Sequence, residues 1–300
     1  MQTYTRNLFG APPAAAQEGV SSALPWGAAE QPAPDTLSPM DRAASLLRTI
    51  ETQIIPRLLL AHCHHDSGAS HESRPLPHTG PAEVATLTDI VLGRRPGSAA
   101  EYMRARRAEG IEIEALYLDL LAPTAQRLGA LWEADLCDFT EVTVGLWRLQ
   151  QLVNEYSSAF QRTEPRRRSS WRALLAPAPG SQHNFGLLMV VEFFRRAGWD
   201  VWADPGAGLP ELTQALSSGW YDIIGLSVGS ECHADGVASA ILALRRASLN
   251  PAVVVMVGGP VVNLLDDFAV KVGADAMASD ARAAVAEAER LMAARAAAVP

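Results

Sequence analysis

The sequence has little of what would mark a secreted, membrane-bound or thiol-based protein. Its 3 cysteines, Cys63, Cys137 and Cys232, stand far apart and form no C-x-x-C pair, so neither a disulfide framework nor a thiolate zinc site is expected. No run of 18 apolar residues is present, and the N-terminus lacks the basic, apolar, then small-residue order of a secretory signal. A soluble, cytoplasmic chain with no membrane partner is the expectation. Excess positive charge is missing too: a formal net charge of -8 denies the whole chain the cationic surface that phosphate backbones require. No G-x-G-x-x-G follows the first expected strand and no Ser-His-Asp order is suggested, so dehydrogenase or hydrolase chemistry is not expected.

What is present suffices for two domains, at 300 residues and 48% hydrophobic. Residues 1–38 are rich in Ala and Pro without an apolar period and are expected to be disordered. Residues 39–162 read as a helical bundle. Ser38-Pro39 opens a helix carrying Ala43, Leu46, Leu47, Ile50 and Ile54 at helical spacing, and a His-, Ser- and Gly-rich loop follows at 61–80. Pro81 begins a second helix that Gly93 and Pro96 end. A longer helix opens at Ser98 and runs through Ile113, Leu116 and Leu120 to a kink or break at Pro123. Leu128, Leu131 and Trp132 extend it, and Asp138 or Thr140 can cap a further helix through Val153.

Residues 163–171, with Pro165 and Arg166 to Arg168, read as a linker. After it, short apolar runs at 173–176, 200–202, 223–228, 253–257 and 276–278 alternate with helical stretches at 184–197, 209–218, 234–248, 261–272 and 281–294. Five strand–helix repeats over 172–298 predict an α/β fold, a doubly wound, flavodoxin-like (Rossmann-like) parallel sheet preceded by the helical bundle. Such sheets bind ligands beyond the carboxyl ends of their strands, so the loops after strands one, three and four should carry the function.

Those loops hold the unusual residues: Ser181, His183 and Gly186 in the first, Ser227 and Gly229 in the second, Gly258 and Gly259 in the third. An imidazole in the first loop faces whatever fills the crevice, and the glycines let a bulky group approach the backbone. The set resembles the cobalamin-binding domain family, whose pattern is Asp-x-His-x-x-Gly, then Ser-x-Leu, then Gly-Gly. The spacing agrees, with 44 residues from His183 to Ser227 and 31 more to Gly258. The resemblance implies that His183 ligates cobalt from below, while the displaced nucleotide tail threads between the sheet and a helix. Ser181 stands where the family has Asp and Gly229 where it has Leu. A serine orients a ligating ring more weakly than a carboxylate, which disfavours methyl-transfer chemistry.

Upstream, Trp132, the Asp135-x-x-Asp138-Phe139 run and Glu141 resemble the helical cap of cobalamin-dependent light sensors and corrinoid methyltransferase modules, whose signature is a tryptophan, nine residues, then Glu-His. The resemblance sets Trp132 over the upper face of the ring. A core indole is the alternative. The Glu-His positions fall on Val142 and Thr143, which argues against handling of an adenosyl group. Over residues 85–295 the chain is similar to the AerR/PpaA group of photosynthesis antirepressors. That similarity implies a non-enzymatic light- or redox-responsive regulator that binds a transcriptional repressor of the PpsR/CrtJ type. The implied cofactor is an adenosyl-, methyl- or hydroxocobalamin, with haem on the same fold as the alternative and a corrinoid carrier as the alternative role. Whether a second copy of the chain or weak, indirect DNA contact takes part stays open. So does cobalt ligation by His62, His64, His65, His71, His78 or His233.

Overall fold

The sheet forms because five apolar runs, each too short for a helix, can be buried on both faces. In the computed structural model, which describes residues 79–162, 170–181, 184–229, 234–260, 262 and 267–298, they are β1 (Arg172–Pro177), β2 (Asp200–Ala203), β3 (Ile223–Ser227), β4 (Val254–Gly258) and β5 (Ala276–Ala278). The expectations for residues 1–38, for the helix from Pro39, for the histidine-rich loop up to His78 and for residues 163–169 lie outside the described residues. All pairings are parallel, in the order β2-β1-β3-β4-β5. The fold is the expected doubly wound, flavodoxin-like one, and the chain reverses its direction of winding between β1 and β3.

Side chains alternate across the strands. Leu174, Ala176, Ile224, Leu226, Val255 and Val257 face one layer, α7 (Leu209–Ser218), α8 (Ala234–Ala247) and α9 (Phe268–Val272). Ala173, Leu175, Ile223, Val254 and Met256 face the other, α6 (Phe185–Arg196) and α10 (Ala281–Ala298). Of the helix expected at 261–272 the described part is α9, and Val262 lies in a turn, its N–H donating to the Gly259 carbonyl at 3.1 Å.

Among the described residues the helical layer comprises α1 (Pro81–Val91), which starts where Pro81 predicts, α2 (Ala99–Ala108), α3 (Ile113–Ala115), α4 (Ala122–Glu133) and α5 (Phe139–Arg162). The single long helix expected from Ser98 is broken instead. Ser98 and Glu101 form the capping box of α2, but Gly110 adopts φ +93 and turns the chain before α3. Pro123 has no N–H to give a carbonyl four residues back, and the helix absorbs this by widening. Leu116–Leu121 is a π segment, in which the Ala122 N–H reaches the Tyr117 carbonyl.

Helix α6 explains how the two layers meet. Its sequence is apolar almost all round, and such a helix is buried all round. Phe185, Met189 and Phe193 pack into the helical layer, while Leu187, Val191 and Phe194 pack on the sheet. Phe160 of α5 stacks on Tyr117 with ring centroids 4.7 Å apart and lies 4.9 Å from Phe193. Glu192, at 4% exposure, accepts a hydrogen bond from Gln161 Nε2 at 3.1 Å.

Glu114 ties the layers electrostatically, accepting from Arg196 Nη1 at 2.6 Å and from Arg282 Nε at 2.5 Å. Burial alone would raise its pKa, yet the two guanidiniums outweigh burial and hold the carboxyl below its ordinary value. A carboxyl lowered in the folded state stabilises above the ordinary carboxylate range, and that contribution is lost as pH falls through the folded value. Glu114→Ala should cost about 1–3 kcal/mol near neutral pH, because it removes the carboxylate that accepts from the largely buried Arg196 and from Arg282. Urea unfolding at neutral and acidic pH checks this: the difference between wild type and variant should shrink as the pH is lowered.

Candidate functional site at the carboxyl edge of the sheet

Three loops that are distant in sequence are knitted into one edge. Beyond β1, the Ala178 N–H donates to the Ser227 carbonyl at 2.8 Å. Beyond β3, the Val228 N–H donates to the Gly258 carbonyl at 2.8 Å. The first loop turns through Gly180, at φ +90, and the Ser181 N–H closes it on the Ala178 carbonyl at 2.8 Å. Ser181, Ser227, Gly229, Gly258 and Gly259 therefore share one edge, at the position where the winding reverses.

The glycines have different reasons to be there. Gly259 adopts φ +108, and a Cβ at that position would stand 2.5 Å from the Val228 carbonyl oxygen. Gly259→Ala is expected to destabilise the fold by about 1–3 kcal/mol through backbone strain, with the displaced carbonyl disturbing the edge. Thermal unfolding beside a cobalamin titration measures both effects. Gly186 is the opposite case: it is exposed, and among the described residues no atom beyond its own stretch of helix lies within 4 Å of where a Cβ would sit. Its surroundings leave room for something broad to approach the first turn of α6.

His183 lies outside the described residues, as do the other six of the 7 histidines. Its neighbours Ser181 and Asn184 are placed at this edge, both partly buried. Beside the end of β5 an open cleft of about 650 Å³ is lined by Ala278, Ser279, Ala283, Ala286, Glu287 and Arg290. The signal for it was the Ala283–Ala286 spacing, which puts two small side chains on one stripe of α10, but an alanine-rich helix hides such a stripe.

Trp132 is not a core indole, since it is 48% exposed at the end of α4. Leu136, Phe139 and Trp147 are exposed as well and give this end of the helical layer an apolar surface. The turn between α4 and α5 is rigid. Asp135 holds φ +56, and Asp138 caps α5, accepting from the Glu141 N–H at 2.8 Å while Glu141 accepts from the Asp138 N–H at 3.0 Å. Arg94 donates to the Leu136 carbonyl at 2.8 Å and to the buried Cys137 sulfur at 3.2 Å. Glu141 is thus engaged in holding the turn. Among the described residues, no helix is long and apolar enough to cross a membrane.

Residues 171–289 match the B12 binding domain family. The match takes in all five strands and all three edge loops, and it covers less than half of the chain. A curated relative from Rhodobacter capsulatus, described as an uncharacterized 20.5 kDa protein in the bchF-crtJ intergenic region, is 26% identical over 181 residues, covering 60% of this chain and 94% of its own. Among solved structures, the monomethylamine corrinoid protein of Methanosarcina barkeri superposes with a TM-score of 0.58 at 16% identity, covering 71% of this chain and 98% of its own. That likeness concerns the fold, with a helical layer preceding the sheet. The B12-binding match and the architecture together support a cobalamin-binding domain in the C-terminal part of the chain.

Proposed function

We propose that the chain is a non-enzymatic regulator that holds a cobalamin at the carboxyl edge of its sheet and reports the cofactor's state to a protein partner. The observation that carries this reading is the coincidence of the B12-binding match with an edge where three loops are hydrogen-bonded side by side and glycine backbone is open at Gly186. A corrin held here would need room against the backbone, which the exposed Gly186 offers, and an imidazole. His183 would supply that imidazole, Ser181 would steady it, and Gly186, Ser227, Gly229, Gly258 and Gly259 would flank the ring and its tail. Trp132, exposed on the helical layer, is the side chain suited to cover the upper face. A bound methyl- or adenosylcobalamin would supply a cobalt–carbon bond that visible light breaks. The chain's part is to hold the two resulting states differently, and only that difference shifts a population.

A repressor of the PpsR/CrtJ type is the proposed partner. The resemblance to the AerR/PpaA group supports it, and so does the name of the Rhodobacter relative, which places that protein beside crtJ. The test is absorbance of the purified chain with methyl-, adenosyl- and hydroxocobalamin and with haem, in the dark and after green light, followed by repressor binding in both states. Uptake of a cobalamin with a light-dependent change in repressor affinity is the expected result. Refusal of every corrinoid overturns the cofactor, and equal repressor binding in both states overturns the regulatory role.

The corrinoid-carrier reading is kept because the Methanosarcina protein of the same fold is a corrinoid protein. Transfer of a labelled methyl group from the bound cofactor to a thiol would favour it.

A further inference from the structure

Asn184 occupies the N-cap of α6, a position where asparagine ordinarily accepts a hydrogen bond from an N–H two or three residues further on. Here it does not. The residue has φ -100 and ψ -12, and its side chain makes no capping bond. Its Oδ1 is nevertheless buried and without a hydrogen-bond partner. Buried acceptors in folded proteins are nearly always satisfied, so one left open asks for a donor from outside the chain. The residue as a whole is only partly buried, so a ligand can meet its side chain. Asn184 lies between the turn at Gly180–Ser181 and the open space at Gly186, on the edge that Ser227 and Gly258 continue.

We infer that Asn184 is a further cofactor-binding residue, its side-chain oxygen held ready for an amide N–H on the rim of a corrin ring. The inference rests on the cobalamin reading and adds a criterion of choice to it. A corrin rim carries primary amides, which donate, whereas a haem rim carries carboxylates, which only accept. An acceptor at this position therefore favours a corrin over a haem.

The experiment is an absorbance titration of the full chain and its Asn184→Leu and Asn184→Asp variants with hydroxocobalamin and with haem, beside thermal unfolding of each protein without cofactor. Asn184→Leu should weaken cobalamin binding about tenfold while leaving the unfolding temperature unchanged or raised, since it deletes a group that has no partner. Asn184→Asp should keep cobalamin affinity within about threefold, because a carboxylate accepts from the same donor, and should weaken haem binding by repelling its carboxylates. The inference fails if Asn184→Leu binds cobalamin as wild type does, if its unfolding temperature drops as a lost structural contact would require, or if Asn184→Asp loses cobalamin as Leu does. Wild-type protein that takes up no corrinoid overturns this inference and the cofactor reading together, whereas wild-type uptake with indifferent variants overturns this inference alone.

Discussion

His183→Ala should bind hydroxocobalamin at least about tenfold more weakly than wild type, and its bound spectrum should move to that of a cobalt whose lower position is filled by water or by the cofactor's own base. The size follows from metal-site energetics: even groups that only orient a ligating histidine are worth about 10–100-fold in affinity, and the ligand itself is worth no less. The direction follows from the sequence position of His183 between Ser181 and Asn184, which are placed at the carboxyl edge with the glycine loops. The variant should fold normally, as Ala178, Ser227, Val228 and Gly258 join the edge through backbone groups that an alanine at 183 does not touch. Titration by absorbance, with unfolding as the control, decides it. A variant that keeps the wild-type affinity and spectrum removes His183 from the site.

Phe160→Ala should be the most destabilising single change in the helical layer, at about 3–5 kcal/mol. The ring is fully buried and touches two other elements: it stacks on Tyr117 of the π segment, meets Phe193 of α6, and has the guanidinium carbon of Arg196, also of α6, 4.5 Å from its centroid. Truncation opens a cavity between the layers and strips Arg196 of its aromatic neighbour. Chemical denaturation followed by circular dichroism gives the number. A loss under about 1 kcal/mol would mean that α5 and α6 close over the gap, and the two layers would then be less tightly fitted than the rings suggest.

The sheet was legible because periodicity changes at a visible place: apolar runs of three to six residues between helical stretches permit little besides parallel strands, and β5 falls on the residues expected, Ala276–Ala278. The caps were legible too, since Ser98 and Asp138 each precede a glutamate by three residues. What the pattern could not give was the break at Gly110 and the π segment before Pro123, because an apolar spacing of three and four continues across both. The sites divide in the same way. Glycine pairs after strands are visible as letters, and Gly259 turned out to be required by a carbonyl contact that no spacing encodes. Asn184 was visible only as the first residue of a helical stretch, and only the fold shows that its side-chain oxygen has no partner. Glu114 lies 82 residues from Arg196 and 168 from Arg282, separations at which only folding reveals a partnership.

The double burial of α6 bears on how this protein can be divided. Cutting out the B12-binding stretch alone would bare Phe185, Met189 and Phe193 to solvent and would sever α10 before Met292, which packs beneath the sheet. Such a fragment would carry a greasy stripe along one flank and should clump rather than dissolve. Work on the cofactor region therefore has to keep the preceding helices with it.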